Sequence, residues 1–465
     1  MLNPFAESWI KNAFVLVTLS AMAACSAEPS PPPNIVLVVI DALRADHLSH
    51  YGYHRDTAGA IDDFVASSTR FADCSSQAPW TNPSVASLFT GLNTARHRTN
   101  TFGAALPTDF TTLAESLQSN GWTTAAVSFN PGVRSELDFD QGFETYDEFL
   151  GKATAYPHME EMVSRVATWL DEQPQQPFFL YLQPMNVHGP YRVPKEARSN
   201  VLGRPPGREF RYYGDLMNGI LRKGKFESRD QVPGPYLESL IDKYDTAIRY
   251  STDQLGELFA VLSRHQLYED TLIIVTADHG EELFDHGGFS HGWSLHRESL
   301  HVPLFIKLPG QSDGGVVEAP VELIDLYPTI LEAAGILTDL DLDGRSLVPL
   351  ILGKADPESD QEPERLTQTA WKGRCVARGI SAQGFRLIEI ERNYERVKNV
   401  IRMYDLAGDP REEEDVSGRH PKIALELRQE LHRRFDELAQ NAGPQPENRK
   451  DQLDQERLRA LGYVE

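Results

Sequence analysis

A polar segment at residues 78–91 runs from a turn into a predicted short helix, with Thr81 at its centre. Pro83 is favoured as the first helical residue, because its missing N–H costs nothing there, so we expect Thr81 just ahead of the helix N-terminus. The free N–H groups and the dipole of such an end can bind phosphate or sulfate, and the Thr81 hydroxyl could attack that anion. Alternatively, Thr81 is an ordinary helix cap, since such positions favour Ser, Thr and Asn.

Two predicted strands end in residues that could hold a cation. The apolar run 34–40 is followed by Asp41, and the apolar run 271–276 is followed by Asp278 and His279. Continuous β-branched runs of this kind are typical of strands buried on both faces of a parallel sheet. Ligands of such sheets bind at the carboxyl ends of the strands. Two carboxylates facing one crevice suit a divalent cation, although each acid alone could be a turn residue.

Histidines supply candidate groups for binding an anion or protonating a leaving group. His188 follows a third predicted strand, at 178–183, and His291 lies in a histidine-rich loop. We select these two, while a purely structural role stays open for each. The other histidines of that loop are His286, His296 and His301, and we do not expect all of them to be functional. The spacing differs from the helical HExxH of zinc proteases, and the nucleotide-binding and G-x-S-x-G motifs are absent from the sequence.

The elements that must position these residues alternate along the chain. Strands are predicted at 34–40, 123–129, 178–183, 271–276 and 302–308, and the clearest helices at 160–172 and 240–265. Strands alternating with helices predict an α/β fold with a doubly wound, mostly parallel sheet. We assign residues 34–355 to this catalytic domain, with an inserted lid at 190–236. Alternating strands at 385–390 and 400–404 and an amphipathic helix at 423–438 predict a small C-terminal α+β subdomain, within residues 365–465.

The N-terminus has the pattern of an export signal. Lys11 precedes a short apolar run at 13–19, and small residues then lead to Cys25, so residues 1–24 are read as a signal peptide. The pattern resembles a bacterial lipoprotein site with Cys25 lipidated, and the alternative is a plain secretory signal. Residues 25–33 form a Pro-rich linker. We expect a protein that faces the periplasm or cell exterior, held at the membrane by a lipid anchor alone. Export would permit a disulfide between Cys74 and Cys375, although two buried thiols are favoured.

Charge narrows the class of partner. The 465 residues contain 45 Lys plus Arg against 68 Asp plus Glu, a formal net charge of −23. This balance disfavours nucleic acid and anionic membrane surfaces as partners. An acidic protein that handles an anionic ester needs local positive charge, which a metal ion or a helix N-terminus can supply.

Several motifs in order along the chain resemble the sulfatase branch of the alkaline phosphatase superfamily. They are the strand ending in Asp41 with 43–47, the Thr81-Asn82-Pro83-Ser84 segment, Thr276-Ala277-Asp278-His279-Gly280, 325–329, 343–347, 404–406 with 409–410, and Leu461-Gly462-Tyr463. The occurrence of all these motifs in this order is specific for the family, and together they span nearly all of the mature chain. The resemblance implies a metal-dependent ester hydrolase or transferase, and it makes Thr81 a nucleophile rather than a cap.

The chain departs from the sulfatase pattern at the nucleophile. Sulfatases carry Cys or Ser in a C-x-P-x-R motif that is oxidised to formylglycine, whereas this chain has Thr81 and Val85 at the Cys and Arg places. Oxidation of threonine gives a ketone, so we do not expect formylglycine. Asn130 stands where sulfatases have a charged sulfate-binding group, and it offers neutral donors to the substrate. An unmodified Thr nucleophile resembles the phosphoethanolamine and phosphoglycerol transferases of the same superfamily.

These features together predict one divalent metal ion held by Asp41, Thr81, Asp278 and His279. Zinc or manganese is favoured and calcium or magnesium is possible, because the donors mix oxygen and nitrogen. The main prediction is hydrolysis or transfer of a phosphoester or phosphonate through Thr81. The alternatives are sulfuric ester hydrolysis by the unmodified Thr81 and an inactive surface binding protein. The expected partner is a small-molecule, glycan-linked or lipid-linked anionic ester.

Overall fold

The computed structural model describes residues 31–149, 157–194, 232, 234–354, 363–371, 376–392 and 398–450. Several predicted features lie outside these ranges: the signal peptide 1–24, Cys25 and most of the linker 25–33, Cys375, residues 195–231 of the predicted lid, and the C-terminal Leu461-Gly462-Tyr463 motif. No helix within the described ranges is both long enough and apolar enough to cross a bilayer.

The strands of the described ranges are numbered in chain order. They are β1 (Asn34–Val39), β2 (Thr69–Ser75), β3 (Thr123–Ser128), β4 (Thr145–Glu148), β5 (Phe178–Gln183), β6 (Thr271–Thr276), β7 (Glu282–Leu283), β8 (Phe289–Ser290), β9 (His301–Lys307), β10 (Gly315–Val317), β11 (Val321–Glu322), β12 (Arg365–Thr369), β13 (Val376–Ala382), β14 (Phe385–Arg392) and β15 (Lys398–Asp405).

The helices of the same ranges are numbered likewise. They are α1 (Asp62–Ala66), α2 (Thr81–Thr90), α3 (Thr94–His97), α4 (Leu113–Ser119), α5 (Met159–Asp171), α6 (Gly234–Arg264), α7 (Arg297–Leu300), α8 (Leu326–Ala333), α9 (Val348–Ile351) and α10 (Pro421–Gln440). The predicted helix at 240–265 begins six positions too late, because Gly234 and Pro235 at its start have the lowest helix propensities.

The central sheet has the order β10-β2-β9-β6-β1-β5-β3-β4, with β11 paired to β2. β1 is parallel to both β5 and β6, and β9 is antiparallel to β6 and β2. Every residue of β1, β5 and β6 is buried. Apolar side chains therefore fill both faces of these strands, which is why the sequence shows them as unbroken apolar runs. The predicted α/β fold with a doubly wound, mostly parallel sheet is confirmed.

A second, antiparallel sheet of β12-β13-β14-β15 forms the predicted C-terminal α+β unit. α10 packs against β13 and β14 and buries Leu427, Leu431 and Phe435 in a small separate core. The sequence analysis did not predict β2, β12 or β13, since charged and polar residues interrupt their apolar pattern. Cys74 lies buried at the end of β2 as a free thiol.

Candidate active site

Three predicted metal ligands meet at the carboxyl ends of two neighbouring strands. β1 pairs with β6 so that Val39 lies opposite Thr276, and Asp41 and Asp278 each follow two residues later. One ligand atom from each of Asp41, Asp278 and His279 lies within 4.8 Å of the others. His279 Nε2 is 3.6 Å from Asp41 Oδ1 and 3.6 Å from Asp278 Oδ2. Sheet register thus brings together residues that are far apart in the sequence.

The electrostatics of this cluster favour a cation. Asp41, Asp278 and His279 are fully buried. Burial and the neighbouring Asp278 raise the pKa of Asp41 well above its usual range. Asp41 Oδ1 has no hydrogen-bond partner within the described part of the chain. Two buried carboxylates need a proton or a cation between them, and the donor set of two carboxylates and an imidazole fits a divalent metal ion.

The hydrogen bonds of His279 fix which ring nitrogen faces the cluster. Nδ1 lies 2.7 Å from the carbonyl oxygen of Gly280. A carbonyl oxygen only accepts hydrogen bonds, so Nδ1 carries a proton. Nε2 lies 3.3 Å from Thr81 Oγ1. In the neutral form of this ring, the lone pair of Nε2 therefore faces both carboxylates and the threonine hydroxyl, which is the tautomer that a metal ligand requires.

Thr81 is the first residue of α2 and Pro83 is the third, so the helix begins two positions earlier than expected. Trp80 occupies the cap position, and its side chain makes no capping hydrogen bond. The Thr81 hydroxyl instead contacts His279 and accepts a hydrogen bond from Asn130 Nδ2 at 3.2 Å. Thr81 thus does not occupy the cap position, and its hydroxyl lies beside the predicted metal ligands at a helix N-terminus.

Asn130 lies between Thr81 and the predicted metal ligand Asp41. Its amide Nδ2 donates to Asp41 Oδ2 as well as to Thr81 Oγ1. The N–H of Gly132 donates to Asn130 Oδ1 at 2.6 Å, which sets the direction of the amide. Asn82 Nδ2 in turn donates to the carbonyl oxygen of Gly132 at 2.8 Å. The amide predicted to bind substrate thus also contacts two other residues of the cluster.

His188 and His291 lie beside this cluster. The ring centroids of His279 and His291 are 4.5 Å apart, and those of His188 and His291 are 4.8 Å apart. Burial lowers the pKa of His188 to about 4, so its ring is neutral near pH 7. His188 Nδ1 donates to the Gly189 carbonyl oxygen at 2.7 Å, and His291 Nδ1 is 3.3 Å from Glu281 Oε2. Both predicted histidines are therefore in place to exchange protons near Thr81.

The remaining loop histidines lie in a separate network. The rings of His286 and His296 stack with centroids 3.7 Å apart. His286 also contacts Glu298 and the backbone of Glu412, and His301 contacts the carbonyl oxygen of Ala72. The contacts of His286 connect the loop to the C-terminal segment that contains Glu412, whereas His301 begins β9 and contacts β2 within the central sheet.

Sequence reasoning missed the residues that orient Asp278. Its Oδ1 accepts the N–H groups of Ala42 at 3.1 Å and His279 at 2.9 Å. Gln183 Nε2 donates to Asp278 Oδ2 at 3.3 Å, and the Ser84 hydroxyl donates to its backbone oxygen at 2.6 Å. Gln183 ends a predicted strand as Asp41 and Asp278 do, so strand-end polarity is the signal that could have found it.

Comparison with known proteins agrees with this geometry. The family model described as Sulfatase matches residues 33–336, and the model of the N-sulphoglucosamine sulphohydrolase C-terminal region matches residues 285–441. Arylsulfatase K of Gallus gallus is 26% identical, over 87% of this chain and 84% of that protein. Steryl-sulfatase of Rattus norvegicus is 25% identical, over 71% of this chain and 72% of that protein.

Two solved structures illustrate the shared fold. Phosphonate monoester hydrolase of Agrobacterium radiobacter has a TM-score of 0.70 and 20% identity, covering 87% of this chain and 96% of its own. A protein solved with its substrate D-glucosamine-2-N,6-O-disulfate has a TM-score of 0.71 and 18% identity, covering 88% of this chain and 99% of its own. At these identities the likeness establishes the fold alone.

The comparisons overturn the main functional prediction. The curated relatives reported above bear the names of sulfatases, Arylsulfatase K and Steryl-sulfatase. The prediction of phosphoester or phosphonate chemistry is therefore wrong, and its sulfuric ester alternative is supported. The prediction relied on the residues at the Cys and Arg places of the maturation motif. Those residues govern how the nucleophile is made, not which ester the site accepts.

Proposed function

Because the chain belongs to the sulfatase family, we propose that it hydrolyses an anionic sulfuric ester with the unmodified Thr81 hydroxyl as nucleophile. The observation that carries this proposal is the 3.3 Å distance from Thr81 Oγ1 to His279 Nε2, inside a cluster with Asp41 and Asp278. The same cluster argues against an inactive binding protein, since buried unpaired carboxylates are costly to keep without a function.

Asp41, Thr81, Asp278 and His279 are the ligand set that we propose for one divalent metal ion. When bound, such an ion lowers the pKa of a coordinated hydroxyl and offsets the negative charge of the ester. We favour zinc or manganese over calcium or magnesium, because the donors include an imidazole nitrogen.

The chain's own residues would carry the ester through two displacements at sulfur. In the first, an S–O bond forms to Thr81 Oγ1 and the S–O bond to the leaving alcohol breaks. His188, which is neutral near pH 7, or His291 would take the proton that Thr81 loses and give it to the leaving alcohol, so that no net proton is consumed. In the second, water attacks the sulfothreonine at sulfur and the bond from sulfur to Thr81 Oγ1 breaks. One proton of that water restores the Thr81 hydroxyl, the other passes to solvent, and sulfate is released.

Donors around Thr81 would stabilise the developing charge. Asn130 donates to Thr81 Oγ1, and the positive end of the α2 dipole lies at the same place. Fixed donors of this kind do not need to reorganise during reaction, and they act in a site from which water is excluded.

The test compares wild type with Thr81→Ala and Thr81→Ser on an aryl sulfate, with and without a chelator. We expect chelator-sensitive turnover, a loss of about 10³-fold or more in Thr81→Ala, and partial retention in Thr81→Ser, which keeps a hydroxyl. Mass spectrometry of quenched wild type should find one sulfo group on the peptide that contains Thr81. Undiminished turnover by Thr81→Ala, or no aryl sulfate turnover with any divalent metal, would refute the proposal.

We further propose export and lipid anchoring through Cys25, on the sequence pattern alone. The wild-type protein should incorporate labelled palmitate and sediment with membranes, whereas Cys25→Ser should do neither. Incorporation of label into Cys25→Ser would contradict the proposal.

A further inference from the structure

A buried tyrosine on α6 bridges the backbone turn that follows Asp41. The Tyr244 hydroxyl donates a hydrogen bond to the carbonyl oxygen of Ala42 at 2.6 Å and accepts one from the N–H of Arg44 at 2.9 Å. Its side chain is fully buried. A hydroxyl can donate and accept a hydrogen bond at the same time. The Tyr244 side chain therefore pairs with two buried backbone groups, which would be costly to leave without hydrogen bonds.

The turn has an unfavourable backbone conformation that this bridge supports. Ala42 has a φ of 59°, in the left-handed region that a Cβ atom disfavours. In this conformation the Ala42 N–H reaches Asp278 Oδ1 at 3.1 Å. The turn therefore connects the end of β1 to a ligand that lies beyond the end of β6.

This connection determines how Asp278 faces the cluster. Oδ1 accepts two backbone N–H groups, from Ala42 and from His279. With Oδ1 held, the carboxylate cannot rotate freely, and Oδ2 is the oxygen that lies 3.6 Å from His279 Nε2. Loss of the Ala42 contact would leave Oδ1 with the His279 N–H alone, while the weaker 3.3 Å contact from Gln183 Nε2 stays on Oδ2.

We propose that Tyr244 is a positioning residue for the metal centre, acting through the Ala42 turn on the orientation of Asp278. The inference rests on the metal site proposed above. It adds a residue that is not itself one of the metal ligands. Partners that orient metal ligands typically change metal affinity by about 10-fold to 100-fold when they are removed.

The experiment measures binding of Mn²⁺ alone, from the electron paramagnetic resonance signal of the free ion, with no substrate present. We expect Tyr244→Phe to bind Mn²⁺ about 10-fold more weakly than wild type. Tyr51→Phe is the matched control, because the Tyr51 hydroxyl also bridges backbone groups: it donates to Phe71 O at 2.9 Å and accepts from Leu304 N at 2.9 Å. Tyr51→Phe should lose stability but keep the wild-type affinity for Mn²⁺.

A rescue variant distinguishes an effect of the Ala42 turn on Mn²⁺ affinity from general destabilisation of the fold. Glycine adopts the left-handed conformation without a Cβ penalty, so adding Ala42→Gly to Tyr244→Phe should recover about threefold of the lost affinity and leave the double variant about threefold weaker than Ala42→Gly alone. If Tyr244→Phe does not fold by itself, weaker Mn²⁺ binding by the double variant than by Ala42→Gly supports the proposal, and equal binding overturns it.

Asp41→Asn distinguishes failure of the positioning role from failure of the metal site. If Asp41→Asn binds Mn²⁺ as wild type does, the proposed site itself is wrong. If Asp41→Asn loses binding while Tyr244→Phe stays within about twofold of wild type, the site stands and the positioning role is refuted.

Discussion

Because of the contacts of His286, we expect the free energy of unfolding of the protein to fall as pH rises. His286 Nδ1 lies 2.7 Å from Glu298 Oε1, and its Nε2 lies 2.8 Å from the backbone oxygen of Glu412. Both partners accept hydrogen bonds, so the ring carries two protons. Burial by itself lowers the pKa of His286, but the charge and hydrogen bond of Glu298 outweigh it and raise the pKa to about 9.

The size and direction of the effect follow from linkage. A histidine pKa raised from 6.5 in the unfolded chain to about 9 in the folded protein corresponds to about 3 kcal/mol of stability. The folded protein holds the proton more tightly, so this contribution is complete below about pH 6.5. It decreases as pH rises from about 6.5 to about 9, and it is absent above that range.

Urea unfolding of wild type and His286→Gln tests this prediction. We expect His286→Gln to be less stable by about 3 kcal/mol near pH 6, and the difference to shrink below about 1 kcal/mol near pH 9.5. Glutamine keeps an amide donor at the position, so the variant removes the charge with little loss of volume. The exposed His54 provides the control, since His54→Gln should change stability little at either pH. A difference between His286→Gln and wild type that stays constant or grows with pH would refute the reasoning.

Three further predictions concern the proposed site. Asn130→Ala removes a fixed donor to the nucleophile, so kcat on an aryl sulfate should fall about 10²-fold while circular dichroism stays unchanged; a change under threefold would contradict this. A Cβ at Gly132 would lie 2.7 Å from Asn82 Oδ1 and 3.1 Å from Asn130 Oδ1, so Gly132→Ala should cost about 1–3 kcal/mol in urea unfolding. Gly418→Ala, where a Cβ meets nothing within 4 Å, should stay within about 0.5 kcal/mol. Divalent metal at about 100 times its Kd should add about 2.7 kcal/mol of stability, measured by calorimetry before and after chelation, and Asp41→Asn should not show this gain.

The buried strands could be predicted well from the sequence because each shows as an unbroken apolar run within a few consecutive residues. The runs at 178–183 and 271–276 coincide with β5 and β6, and polar residues mark where each strand ends. Pairing within a parallel sheet then brings Asp41 and Asp278 together without further information. Prediction failed where burial depends on distant partners, as in β12, whose polar residues are buried against the rest of the chain.

The candidate site was predicted in part for the same reason. Residues that follow strand ends were found, whereas Tyr244 was not, since nothing in a helical sequence shows that one hydroxyl reaches another element's backbone. His286 and His291 lie five positions apart and differ only in which acids and rings the fold puts beside them. The type of ester was predicted wrongly because Thr81 and Val85 report on the nucleophile and not on the substrate.

The contact between Ala42 and Asp278 has a consequence for how the protein folds. These residues are separated by 236 positions in the sequence, and the hydrogen bond between them depends on the pairing of β1 with β6. Contacts of such long sequence separation form late and slowly. A cation that binds residues after both strands therefore cannot bind during the early stages of folding. Its stabilising effect should appear as a lower rate of unfolding. Metal supplied after synthesis would then extend the lifetime of the native state without accelerating its formation.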